Sequence, residues 1–141
     1  NGRMTNVELA ERAGISAPPC LRRVRKLEES GFIRGYHADL DPTSMGYSVT
    51  VFAHVKLATQ GEADLRKFEE AIGAMDEVRE CHMLTGDTDY MLKIVARNWD
   101  TYQEFLTTRL TSAPSVASVR SSLRIRVTKD TPGVPVDLSE R

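Results

Sequence analysis

The hydrophobic positions change their period once along the chain. Up to Leu40 the apolar residues fall at helical spacing. Beyond Gly46 a twofold alternation begins, with Tyr47, Val49, Val51, Ala53, Val55 and Leu57 at every second position. Between the two patterns, Leu40-Asp41-Pro42-Thr43-Ser44-Met45-Gly46 packs Asp-Pro and Gly into a short connector. The pattern therefore predicts two modules, residues 1–40 and 48–141, joined by a linker over 41–47.

In the first module, Thr5-Asn6-Val7-Glu8 has the capping-box spacing that opens a helix, predicted over Asn6 to Ala13. Gly14-Ile15-Ser16 breaks it, because glycine tolerates the left-handed backbone that ends a helix, and Ser16 is placed to cap the next one. Pro18 and Pro19 suit the first turn of that second helix, where amide hydrogens lack helical partners anyway. Gly31 stops it after Glu29 or Ser30. Ala10, Gly14 and Ile15 allow the two helices to cross closely, and Phe32-Ile33 is expected to complete the small core. This is the helix-turn-helix pattern.

The second module alternates between strand and helix periods. After the first strand, Leu65, Phe68 and Ile72 return to helical spacing with Asp64, Lys67, Glu69 and Glu70 on the wet side. Val78 to Leu84 and Tyr90 to Ala96 are strand-like runs joined by Thr85-Gly86-Asp87-Thr88-Asp89, which predicts a hairpin. Trp99, Tyr102, Phe105, Leu106 and Leu110 mark a second helix that ends near Pro114. Val119, Ser121, Leu123, Ile125 and Val127 mark a last strand. The order βαββαβ predicts a split βαβ sandwich, with four antiparallel strands and both helices on one face. Phe52, Met91 and Val95 point from the helix-free face, so a partner sheet and an oligomer are expected.

Charge sharpens the first module. The 141 residues carry 19 Lys/Arg and 20 Asp/Glu for a net charge of −1, which excludes a uniformly basic coat. Residues 1–40, however, hold 7 cations against 5 acids, and the rest 12 against 15. Ser16 to Leu27 contains Arg22, Arg23, Arg25 and Lys26 and no acid. With Cys20 at zero on a helical wheel, Val24 and Leu27 fall within about 40°, a buried stripe. Arg22, Arg25 and Lys26 fall at about 200°, 140° and 240°, with Arg23 on the flank. A solvated cationic face is the plain reading of such a helix. The Gly turn and preceding helix favour a recognition helix for double-stranded DNA, in which Arg reaches guanine edges or phosphates.

Candidate chemistry elsewhere is sparse. Cys20 and Cys81 lack metal spacing and are expected as reduced core thiols. His37, His54 and His82 are isolated. Asp87 and Asp89 are a carboxylate pair, but Asp and Gly are ordinary hairpin-turn residues, and no His, Cys or third acid joins them. Beside the Gly86 amide they could instead hold the ammonium and carboxylate of a small amphoteric ligand. No nucleotide-binding or hydrolase motif occurs, so neither catalysis, a metal nor a cofactor is expected. No apolar run approaches the roughly 18 residues of a membrane span, and a cytoplasmic location is expected. Asn1-Gly2-Arg3 reads as the end of an earlier element, so a helix is expected upstream.

Gly2-Arg3, Asn6-Val7-Glu8-Leu9-Ala10, Gly14-Ile15-Ser16, Pro19-Cys20-Leu21-Arg22-Arg23-Val24, Leu27-Glu28, Gly31-Phe32-Ile33 and Gly35-Tyr36 resemble the DNA-binding half of the Lrp/AsnC, or feast/famine, regulators. Leu40-Asp41-Pro42 and Gly46 match the linker of that family, and Thr85-Gly86-Asp87-Thr88-Asp89-Tyr90 is similar to its Gly-x-x-Asp-Tyr signature. Pro18 stands where the family often has Thr or Ser, which removes a hydroxyl able to contact phosphate. The resemblance implies an α+β chain: a winged helix-turn-helix, then a ferredoxin-like (ACT-like, or RAM) domain. It also implies dimers through that domain, assembling to tetramers or octamers, with an amino acid or related effector bound near the signature. Ser16, Pro18, Arg22, Arg23, Arg25 and Lys26 are the expected DNA-binding residues. Met83, Thr85, Gly86, Asp87, Asp89, Tyr90 and Ser121 are the expected effector-binding residues. The expectation is a sequence-specific, amino-acid-sensing transcriptional regulator; the alternative is a ligand-independent architectural DNA-binding protein of the same fold.

Overall fold

In the computed structural model, which describes residues 1–136, the first helix opens on the predicted capping box. Thr5 Oγ1 accepts from the Glu8 amide, and the Glu8 carboxylate accepts from the Thr5 amide at 2.8 Å. Helix α1 spans Asn6–Ala13 and ends at Gly14, whose φ of 65° is the left-handed conformation glycine adopts without steric cost. Helix α2 spans Ala17–Glu29. Ala10 of α1 and Cys20 of α2, each 3% exposed, are the buried residues of the two helices. Two expectations fail here. Phe32 is 83% exposed and does not complete the core, and Leu27, at 42%, lies outside the buried stripe. The helices bury side chains only near the turn that joins them, and both residues lie toward the far end of α2. Residues 31–40 form neither helix nor strand.

The chain divides into two compact units between Leu40 and Asp41, and residues 41–47 fall with the second. They form a turn in which Tyr47 N–H donates to Pro42 O at 2.8 Å, and the Arg97 guanidinium lies over the Tyr47 ring.

That second unit has the predicted order: β1 (Val49–Leu57), α3 (Glu62–Gly73), β2 (Val78–Met83), β3 (Tyr90–Ala96), α4 (Trp99–Phe105) and β4 (Val116–Leu123). The sheet order is β2-β3-β1-β4, antiparallel throughout. Alternate residues Val51, Ala53, Val55 and Leu57 of β1 and Leu92 and Ile94 of β3 are buried against Phe68 and Ile72 of α3 and Tyr102 and Phe105 of α4. Both helices therefore cover one face. Helix α4 gives way to a wider π-helical turn at Leu106–Leu110, where the Thr107 and Thr108 hydroxyls donate to backbone carbonyls of Gln103 and Glu104.

The last strand begins and ends earlier than its alternation predicts. Val51 pairs with Leu123, and the Arg124 amide makes a last bond to Thr50 O. The ladder ends at the Val51–Leu123 pair, and Ile125, which the register sets opposite Val49 at the very start of β1, is 96% exposed. Cys81 corrects a second expectation: it is exposed, because β2 is an edge strand that α3 only partly covers, whereas Cys20 is buried.

Asp89 ties the β2–β3 hairpin to the central strand. Its carboxylate accepts from the Leu57 amide and from Gln60 Nε2, both at 2.7 Å, and its own amide donates to Val55 O. Asp89→Ala leaves the part-buried Leu57 amide without its acceptor. We expect a loss of about 1–3 kcal/mol of stability, read as a lower urea midpoint, with Asp89→Asn retaining part of it. An alanine variant with the parental midpoint would show that this clip does not hold the hairpin.

Candidate nucleic-acid interface and ligand groove

Helix α2 owes its cationic face to Arg22, Arg23, Arg25 and Lys26, all of them beyond its uncharged first turn. Arg22, Arg23, Arg25 and Lys26 are exposed, and none takes part in an ion pair among the described residues. Ser16 adopts the extended backbone of an N-cap, but its side chain makes no capping bond, contrary to the sequence expectation. The physical reason is adjacent: a cap accepts from the second or third helical amide, and here those positions are Pro18 and Pro19, which have no N–H. The Ser16 hydroxyl and the exposed Pro18 ring thus stand free at the helix start. All six residues expected to meet DNA are on or beside this one helix.

In the second unit, α3 and the edge strand β2 enclose an open groove of about 330 Å³, lined by Glu69, Ile72, Val78, Cys81, Met83 and Tyr90 among others. Tyr90 is buried at its base, its ring packed on Phe68 with centroids 4.7 Å apart. Its hydroxyl donates to Glu69 Oε1 at 2.7 Å. Burial, and then the Glu69 carboxylate, push the Tyr90 hydroxyl well above its ordinary pKa, so it stays protonated and acts as a donor. Partial desolvation of the sulfur, then the Glu69 carboxylate, raises the Cys81 thiol above its ordinary pKa, although the residue as a whole is exposed.

The expected effector residues divide among three places. Met83 and Tyr90 line the groove. Thr85, Gly86 and Asp87 are exposed in the adjoining turn, where Gly86 has a φ of 122°. Asp89 turns inward to β1. Ser121 is not brought to them within one chain: it stands on β4, the opposite edge of the sheet, and hydrogen-bonds the Tyr102 hydroxyl. Sequence reasoning missed Glu69, Ile72 and Cys81 as groove residues. Glu69 reads as a wet-side helix residue, and only its position beside Phe68, which packs on Tyr90, could have pointed to it.

Known proteins match both units. Residues 50–134 fit the Lrp/AsnC ligand binding domain, and residues 1–34 fit a winged helix-turn-helix DNA-binding domain. The chain is similar to the leucine-responsive regulatory protein of Rhizobium meliloti (strain 1021), 49% identical over 92% of this chain and 83% of the relative. It is 41% identical to the Bkd operon transcriptional regulator of Pseudomonas aeruginosa, over 89% of this chain and 82% of that one. Among solved structures, a Neisseria meningitidis transcriptional regulator in complex with L-Met superposes with a TM-score of 0.90 at 35% identity, covering 96% of this chain and 87% of that one. The chain belongs to the Lrp/AsnC family of DNA-binding transcriptional regulators.

Proposed function

We propose that this regulator docks α2 in the DNA major groove through Ser16, Pro18, Arg22, Arg23, Arg25 and Lys26, and that its βαββαβ unit senses an amino acid or related small molecule. The observation that carries the DNA half is the set of unpaired cations on one exposed helix face. Their positive field supplies affinity by displacing counterions from phosphate, and guanidinium groups can add base contacts. The sensing half draws on the groove of about 330 Å³, a volume suited to an amino acid, which borders the signature turn. Its apolar wall of Ile72, Val78 and Met83 favours an aliphatic or thioether side chain, in keeping with the L-Met bound by the Neisseria relative. Met83, Thr85, Gly86, Asp87, Asp89, Tyr90 and Ser121 remain the proposed effector residues. Ser121 joins them only if a second copy brings its β4 edge to the turn.

The open face of the sheet supports the oligomer in this reading. Phe52, Met91 and Val95 are only partly covered there, beside a polar cluster in which Lys93 Nζ and His82 Nε2 both contact the Glu80 carboxylate. A homodimer through this face, assembling further to tetramers or octamers, would present paired recognition helices to two half-sites. Family membership points to a regulator rather than a catalyst. No helix among the described residues is long and apolar enough to cross a membrane, in keeping with action on DNA in the cytoplasm.

Two measurements test this reading. In DNA titrations over a salt series, Arg22→Ala with Arg23→Ala should weaken binding and flatten the log–log salt slope by about 2, one phosphate each. An unchanged slope would remove α2 from the interface. In thermal-shift assays, L-methionine, leucine or another amino acid should raise the melting temperature by mass action. Asp87→Ala should abolish that rise, because the Asp87 side chain makes no hydrogen bond within the described residues that its loss would disturb. If no amino acid shifts the melting temperature, the sensing half fails and the architectural reading takes its place.

A further inference from the structure

The start of α2 is poor in hydrogen-bond donors. Ala17, Pro18 and Pro19 form its first turn, the two prolines carry no amide hydrogen, and the Cys20 amide already donates to Ser16 O. This end of the helix offers a phosphate only the Ala17 amide and the Ser16 hydroxyl, and it presents carbon to its surroundings. The carbon lies in the middle of the cationic face. On the wheel with Cys20 at zero, Pro18 falls at about 160°, between Arg25 at about 140° and Arg22 at about 200°. Pro18 is exposed and Cys20, on the other side of the helix, is buried. Pro18, Arg22 and Arg25 therefore form one stripe at i, i+4 and i+7.

We propose that Pro18 is a specificity-determining residue whose ring packs against the 5-methyl group of a thymine in the major groove. The inference rests on the reading that the cationic face of α2 meets DNA. The N-terminal residues of a recognition helix are the ones that approach base edges. A pyrrolidine ring can neither donate to nor accept from those edges, and pressing it on the amino group of cytosine or adenine would strip water from a donor without replacing the bond. The thymine methyl is the one apolar feature the major groove displays. Arg22 lies four residues further, about 6 Å along the axis at 1.5 Å per residue. The methyl-dependent thymine therefore lies within about two base steps of the phosphate or base edge that Arg22 meets.

The test uses the full chain and duplexes it selects from a random pool, with each thymine replaced singly by deoxyuridine so that only the methyl is lost. One thymine per half-site should show about fourfold weaker binding on replacement, the worth of one buried methyl. Pro18→Ser should bind the thymine and deoxyuridine duplexes equally. The wild-type scan decides even if the variant does not fold. A selected site without a fixed thymine, a scan with no methyl-sensitive position, or equal sensitivity in Pro18→Ser overturns the proposal. A flat scan together with an intact salt slope in the Arg22/Arg23 variant would instead mean that α2 does not meet DNA. A flat scan with a reduced slope removes Pro18 alone.

Discussion

One-sided burial of the central strand governs the second unit. β1 is hydrogen-bonded on both edges, to β3 and β4, and its alternate residues Val51, Ala53 and Val55 are fully buried beneath α3 and α4. Each such valine contributes about 1.5–3 kcal/mol by leaving water. Because the alternation has period two, the same strand must send Phe52 and His54 to the other face, which no helix covers. The unit therefore has a single core layer, and whatever surface it offers to another copy is the complement of the residues that fold it. A shift of β1 by one residue would exchange the two sets, so folding and the open face are specified together.

The groove beside the signature turn follows from the edges of the same sheet. β2 pairs only with β3, and it slips register between Val78 and Glu80. An edge strand so placed cannot be fully roofed by one helix, and the gap between it and α3 is the groove. The hairpin that bounds the groove is held by Asp89, whose two carboxylate oxygens serve the end of β1 and Gln60. Asp89 acts here as a fastener that leaves Asp87 and Gly86 outside. The two acids are alike in sequence and differ in setting: Asp89 is bonded to the end of β1 and to Gln60, and Asp87 is exposed.

Much of this was legible in the chain because local chemistry and tertiary packing agree. The Thr5–Glu8 box and Gly14 set the bounds of α1, and the run Tyr90–Ala96 is a strand with the predicted limits because it is flanked on both sides. The misreadings share one cause, which is that an alternating or apolar pattern states what a segment could bury and not what is there to cover it. Ile125 continues the pattern of β4 but lies beyond the last β1–β4 pair, Val51–Leu123, and is exposed. Cys81 alternates like a core residue on a strand with one neighbour. Phe32 follows the end of α2, where no described side chain covers it, and is exposed. For the site, the signature turn was visible as a motif, whereas Glu69 was not. Its link to Tyr90 spans 21 residues and exists only once α3 lies on the sheet.

The first unit shows the same point in the opposite sense, since its most informative feature is an interaction that is missing. Ser16 has the residue type, backbone angles and position of an N-cap, yet it caps nothing, because the amides it would accept from belong to prolines. The helix gains from the prolines a backbone already set near its own φ and loses two donors that would otherwise need partners. Fewer donors at the helix start leave the positive character of this face to Arg22, Arg23, Arg25 and Lys26 further along. Phosphate attraction is indifferent to sequence, whereas an apolar ring among guanidinium groups is not. In the proposed docking, affinity and selectivity would be divided within two turns of one helix.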